Sequence, residues 1–309
     1  MTGRVGFIGL GNMGGPMSAN LARKGFALTV FDPRTAQVEK LAGLGATPAK
    51  SVGEVVAASD IVVTMVPDTP DVEGIVLGPD GTLALGRKGT LHLDMSTIAP
   101  AASRRMAEKL NAAGMRWVDA GVGRSPAHAE RGESLFMVGA TDEDLARVTP
   151  LLDAMGNKII HAGPPGSGIS LKIVNNYLAM CLCQLNAEAF TMGAKLGIPA
   201  KALFDVVTSS LASNDHLKLY WPTKALKGDV EPGFALDLER AVNSVRGGPL
   251  QPAHVLRKCC PAARQIRDAD QTRRSRRFAA GKSGSWEKAT RCTSARGMKP
   301  IQSTSRNIR

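Results

Sequence analysis

The stretch RVGFIGLGNMGGPMSANLARKG, residues 4 to 25, decides the fold. Arg4 to Gly9 is a short run of β-forming residues, after which Met13, Met17, Leu21 and Ala22 recur at helical spacing until Gly25 stops the helix. Between strand and helix lies Gly9-Leu10-Gly11-Asn12-Met13-Gly14. In such a turn the first glycine permits the sharp reversal, the second lets backbone approach a pyrophosphate, and the third allows close packing of helix on strand. Phosphate would rest on the unpaired N–H groups at the helix start, where the dipole favours anions.

Working outward, the alternation continues. ALTVFD reads as a second strand, Thr35 to Leu44 as a helix, DIVVTMV and TLHLDM as strands, Pro100 to Ala113 as a helix and MRWVD as a strand. Strands separated by helical segments predict a parallel sheet covered on both faces, an α/β doubly wound, Rossmann-type architecture. Asp32, at the end of the second strand, can accept hydrogen bonds from adenosine ribose hydroxyls and would repel an extra phosphate there, which favours NAD. Arg34, two residues on, can hold a phosphate bidentately and keeps NADP open.

After the strand KIIHAG and the breaker-rich PPGSG comes SLKIVNNYLAMCLCQLNAEAFTMGAKLGI, a helix long enough to link two domains. At about 100° per residue, Asn175, Asn176, Cys183 and Asn186 fall within about 60° of Lys172. Leu171, Ile173, Val174, Leu178 and Leu182 occupy much of the remaining surface. The pattern predicts a narrow polar stripe on an otherwise buried cylinder, with Lys172 facing an internal cleft.

Five motifs then form a family resemblance. FIGLGNMGGPMSANL at 7 to 21, MVP at 65 to 67, DMSTIAP at 94 to 100, DAGVGRSPAHAERG at 119 to 132 and GSGISLKIVNN at 166 to 176 together resemble the β-hydroxyacid dehydrogenases, over about residues 3 to 238. The resemblance implies an N-terminal dinucleotide domain, a long linking helix and an all-helical second domain. It implies hydride transfer between nicotinamide and a short 3-hydroxy acid or its semialdehyde. It casts Lys172 as general acid/base, with Asn176 and Asn175 orienting substrate or lysine. Ser96, Thr97, Gly123 and Arg124 would contact the substrate, and Thr97, Val66 and Pro67 would join Gly9 to Gly14, Asp32 and Arg34 around the cofactor. Ser96 and Thr97 also suit a capping role for the helix that begins near Pro100. Gly123-Arg124-Ser125 replaces the family's usual serine-glycine-glycine and is most like the sulfolactaldehyde reductase branch, in which an arginine would grip an anionic group. Dimers or tetramers are implied as well.

The expected domains are 1–163, dinucleotide-binding; 164–238, linking helix and partial helical domain; and 239–309, a basic and poorly ordered tail. Of 39 Lys and Arg and 27 Asp and Glu, the tail from Glu239 holds 17 and 4, which leaves 22 against 23 before it. Ala241 and Val242 stand where the family carries lysine and aspartate, and the sequence beyond has no sustained helical period. A shifted reading frame after about Leu238 accounts for this abrupt change and predicts impaired catalysis. A basic arm for nucleic acid, centred on Arg273, Arg274, Arg276 and Arg277, is the disfavoured alternative, since only Phe278 and Trp286 could stack on bases.

Composition narrows the rest. Apolar content of 43% and charge of 21% are ordinary for a globular protein, and the longest apolar run is too short to span a membrane. Five cysteines (Cys181, Cys183, Cys259, Cys260, Cys292) and five scattered histidines lack metal-site spacing, so no metal and a reducing cytoplasm are expected.

Overall fold

The computed structural model describes residues 3–223. The described residues fall into two compact units, the first up to Leu178 and the second from Ala179.

The first unit is built on eight strands: β1 (Val5–Ile8), β2 (Leu28–Phe31), β3 (Thr47–Pro48), β4 (Ile61–Thr64), β5 (Leu91–Asp94), β6 (Arg116–Gly123), β7 (Ser134–Gly139) and β8 (Gly156–Gly163). The helices between them are α1 (Gly14–Arg23), α2 (Thr35–Ala42), α3 (Val52–Ala58), α4 (Thr69–Leu77), α5 (Thr82–Leu85), α6 (Pro100–Ala112), α7 (Pro126–Glu130) and α8 (Asp142–Met155). The strands lie in one sheet in the order β3-β2-β1-β4-β5-β6-β7-β8. Strand order reverses beside β1, so the crevice at its carboxyl end is the topological switch point of a doubly wound fold.

β1 is buried along its whole length and pairs in parallel with β2 and β4, Val5 opposite Leu28 and Ile61. Phe7, Leu10, Met17 and Leu21 are fully buried and tie the first strand to α1 through the core of that face. Ile8, Val55, Val56 and Val62 form a second cluster with the partly buried Phe31 and Val66. The helix stops where expected, with Gly25 at φ 79°.

β6 and β7 are antiparallel, a departure from an all-parallel sheet. The cause is the connection: residues 124–133 hold only the single short turn of helix α7, and a parallel return needs a crossover of a dozen residues or more. β7 and α8 went unread in the sequence, although α8 is well signposted. Thr141 caps its start by accepting from the Asp144 N–H, and Asp142, Glu143 and Asp144 complement the dipole.

α9 (Ser167–Lys195) begins in the first unit and runs on into the second, where α10 (Ala200–Thr208) and a short π-helical turn at His216–Tyr220 follow. Within the second unit Phe190 packs on Trp221 with ring centroids 4.5 Å apart. The expected partial helical domain is described only to residue 223, and the expected basic tail lies outside the described residues. No described helix is long and apolar enough to cross a membrane.

Candidate active site

The phosphate turn fits its expected ligand. Gly9 has φ 94°, and a Cβ there would overlap the Met65 carbonyl; one on Gly14 would overlap the Gly9 carbonyl. A Cβ on Gly11 would meet only the Arg34 guanidinium, at 3.4 Å, so the turn is open on the side where backbone must approach a ligand. At Met13, the residue that leads into α1, no side chain caps the helix, and its first turn carries no acidic residue. The N–H groups there are free of an internal anion.

Asp32, 5% exposed, accepts from the Leu10 N–H at 2.7 Å and so braces the turn from the end of β2. Arg34 lays its guanidinium across the same carboxylate, Nε to Oδ1 at 2.9 Å and Nη2 to Oδ2 at 3.0 Å. That fork is the main reason the Asp32 carboxyl sits below the usual carboxylate range. Arg34 therefore forms a bidentate ion pair with Asp32 beside the glycine turn.

Val66 and Pro67 follow β4, the neighbour of β1, and Ser96 and Thr97 follow β5, the next parallel strand, all at carboxyl ends. Contrary to expectation, Ser96 and Thr97 do not cap the helix near Pro100. Ala99 is the N-cap of α6 without a side-chain bond, and Ser96 Oγ instead accepts from the Val66 N–H at 3.0 Å, joining the two loops.

Lys172 lies in the second turn of α9, against the carboxyl-terminal half of β6. A Cβ on Gly121 would come within 2.6 Å of the Lys172 Cβ, so the missing side chain of Gly121 lets the lysine stem lie on the strand. Lys172 is partly buried, and burial lowers its pKa from 10.5 to about 8. Among the described residues no carboxylate pairs with it. Asn176, one turn on, is partly buried and Asn175 is exposed.

The predicted buried cylinder is not what the structure shows. Ile173 is 5% exposed, but Leu171, Val174 and Leu178 are 38, 57 and 57% exposed. The polar stripe also divides: Asn186, in the second unit, exchanges reciprocal hydrogen bonds with Asn214 at 3.1 and 3.0 Å, a packing role, and Cys183 is exposed. The helical period fixed which residues share a face, whereas which face is covered depends on what packs there.

Gly123 ends β6, and Arg124 follows with φ 73°, a left-handed conformation that only glycine adopts without strain. Its guanidinium donates to the Glu133 carbonyl and to Asn157 Oδ1, at the amino-terminal edges of β7 and β8. Arg124 is exposed, and its guanidinium rests on these two acceptors of the protein's own.

Two carboxylates at this end of the sheet were missed by the sequence reading. Asp94 and Asp119 face each other across β5 and β6, both 1% exposed, and burial pushes each up to about 6. Asp94 Oδ1 accepts from Thr64 Oγ1 and the Ser96 N–H, while its Oδ2 has no partner. Both residues stood inside quoted motifs, DMSTIAP and DAGVGR, but a buried carboxylate at a strand end gives no periodic signal. Among the described residues no group of three or more His, Cys, Asp or Glu is arranged to hold a metal.

Comparison with known proteins identifies the family. Residues 4–163 match the family model described as the NAD binding domain of 6-phosphogluconate dehydrogenase, and residues 166–240 match that described as NAD-binding of NADP-dependent 3-hydroxyisobutyrate dehydrogenase. The chain is 37% identical to 3-sulfolactaldehyde reductase of Escherichia coli over 234 residues, 76% of this chain and 78% of that protein. It is 40% identical to the NAD-dependent L-serine dehydrogenase of Pseudomonas aeruginosa over 221 residues, 71% of this chain and 74% of the relative. The solved 3-hydroxyisobutyrate dehydrogenase of Mycobacterium tuberculosis with L-serine superposes with a TM-score of 0.74 at 32% identity, covering 87% of this chain and 94% of that one. With a glycine turn, a linking helix and two family models matched in sequence, the chain belongs to the β-hydroxyacid dehydrogenase family of NAD-binding oxidoreductases.

Proposed function

We propose that this chain interconverts a short, anionic 3-hydroxy acid or hydroxy-sulfonate and its semialdehyde, with Lys172 as general acid/base. The observation that carries the reading is the partly buried Lys172 ammonium, with a pKa near 8 and no carboxylate partner among the described residues, laid against Gly121 at the carboxyl end of β6. The nicotinamide, when bound, supplies hydride chemistry. In the reductive direction Lys172 Nζ, as an ammonium, stabilises charge on the aldehyde oxygen and gives up a proton; as a free amine it takes the hydroxyl proton in reverse. A pKa near neutrality makes both forms accessible. Asn176 and Asn175 orient the substrate or the lysine stem.

The substrate's anion is held by Ser96, Thr97, Gly123 and Arg124. Arg124 reaches it by leaving the Glu133 carbonyl and Asn157, a change from internal acceptors to a charged one. The cofactor is held by Gly9, Leu10, Gly11, Asn12, Met13, Gly14, Asp32, Arg34, Val66, Pro67 and Thr97. NAD is the preferred form, since Asp32 faces the ribose site; the Arg34 fork leaves NADP admissible.

Homo-oligomerisation is part of the reading, supported by Leu178, Leu185 and Met192, which are 57, 60 and 61% exposed at seven-residue spacing on α9. A cytoplasmic setting fits the cysteine usage.

The test is NADH oxidation with 3-sulfolactaldehyde, methylmalonate semialdehyde, tartronate semialdehyde and succinic semialdehyde, on a frame-corrected chain and on its Arg124→Ala variant. One substrate is expected to react, and the variant is expected to raise its KM. If none reacts above the background of Lys172→Met, the reading fails.

A further inference from the structure

Asp119 plays no part in the reading above, yet it touches the helix that carries Lys172. One carboxylate oxygen accepts from the Gly166 N–H and the other from the Ile169 N–H, the latter at 2.7 Å. These are the orphan donors at the start of α9, which a capping side chain within the helix would ordinarily satisfy. Here the cap comes from a strand some fifty residues earlier, so it fixes where the helix sits on the sheet as well as ending it.

The seat is made of backbone. A Cβ on Gly168 would overlap the Met137 carbonyl and come within 2.6 Å of the Gly139 N and 2.8 Å of the Asp119 carbonyl oxygen; one on Gly139 would come within 2.6 Å of Asp119 Oδ1. Three residues after Ile169, the Lys172 stem lies on Gly121, two residues along the strand from Asp119. The same short stretch of β6 thus grips the helix start and the lysine stem.

We propose that Asp119 is a positioning residue for Lys172: its carboxylate clamps the first turn of α9 to β6 and so holds the ammonium at its depth in the protein. This rests on the reading of Lys172 as the acid/base only for its bearing on catalysis; the clamp itself does not. The group facing Asp119 from β5 is Asp94; β7 and the first turn of α9 present backbone at Gly139 and Gly168, and Arg104 of α6 lies against Gly166. Protonation of Asp119 replaces a charged acceptor by a neutral one and weakens the hold on the two N–H groups. Burial raises the Asp94 and Asp119 carboxyls to about 6 each, and the charge of Asp94 adds to the rise at Asp119.

The experiment uses the full chain with its lysines 13C-dimethylated, the Lys172 signal being assigned by its loss in Lys172→Arg. In the native chain Lys172 is expected to titrate near 8, lowered by burial. In Asp119→Asn, which turns one oxygen into a donor facing a donor, the titration is expected to rise by about one unit or more toward the ordinary lysine value as the loosened turn admits water. Asp60→Asn, which removes surface ion pairs to Arg4 and Arg87, serves as a control that lowers stability elsewhere and leaves Lys172 near 8. Unchanged titration in Asp119→Asn overturns the proposal.

Should that variant fail to fold, hydrogen exchange of the native chain decides. Protection of the peptide spanning 164–171, corrected for intrinsic rate, is expected to drop roughly tenfold between pH 8 and pH 5. Constant protection overturns the clamp. Catalysis in Lys172→Met at the native rate, with the titration shift still present in Asp119→Asn, would sink the acid/base reading and leave the clamp standing.

Discussion

On the proposed reading, Lys172 owes its acid/base role to being half-sheltered. A fully exposed ammonium stays protonated near pH 10.5, and a fully buried one without a partner is neutral at physiological pH; the observed burial sets it near 8. Reduction, which needs the ammonium, is therefore expected to slow as pH rises through about 8, and oxidation, which needs the amine, to slow as pH falls through it. Lys172→Met is expected to lower turnover by roughly 10²- to 10⁴-fold while NADH still quenches tryptophan fluorescence with unchanged Kd. Arg34 makes a separate prediction. Removing its fork leaves Asp32 free to meet ribose hydroxyls, so Arg34→Ala is expected to raise KM for NADPH about fivefold or more and to leave NADH binding equal or tighter, as read from paired cofactor titrations.

At the scale of elements, the site is a set of strand ends brought together by topology. β1, β4, β5 and β6 are parallel neighbours, so the loops after Ile8, Thr64, Asp94 and Gly123 emerge at one edge. α9 is laid across β6 by glycines. Gly121→Ala is expected to push the lysine stem off the strand and cut turnover at least tenfold with little change in cofactor affinity, measured by single-turnover NADH oxidation and fluorescence titration. Gly168→Ala meets backbone on two strands and is expected to cost about 1–3 kcal/mol in urea unfolding. The glycine turn, the first strands and the span of α9 were legible in the sequence because each rests on local rules: turn chemistry, period and length. The antiparallel β7 and the Asp119 cap were not, since both arise from pairings between segments distant in the chain. Likewise the exposed faces of Leu171, Val174 and Leu178 could not be read from period alone, which orders residues around a helix without saying what covers them.

For the molecule as a whole, the family match and the charge balance change at nearly the same place. The second family model ends at residue 240, and the excess of Lys and Arg begins at about the same point. A shift of reading frame after about Leu238 is expected to leave NADH binding normal and to make turnover slower than the roughly 1–10³ per second common for enzymes. Stopped-flow and steady-state rates on the native chain check this directly. Light scattering is expected to find an oligomer, with the apolar positions of α9 as the sites where charged substitutions, Leu185→Glu for one, dissociate it.

The most direct test of Lys172 as the acid/base is single-turnover NADH oxidation with enzyme in excess over a short anionic semialdehyde, followed from pH 6 to 10 in the native chain and in Lys172→Met. The account predicts a rate that falls above a pH of about 8 in the native chain, and in the variant a rate lower by about 10²-fold or more with that limb gone. A variant that keeps both the limb and a rate within a few-fold of native would contradict it.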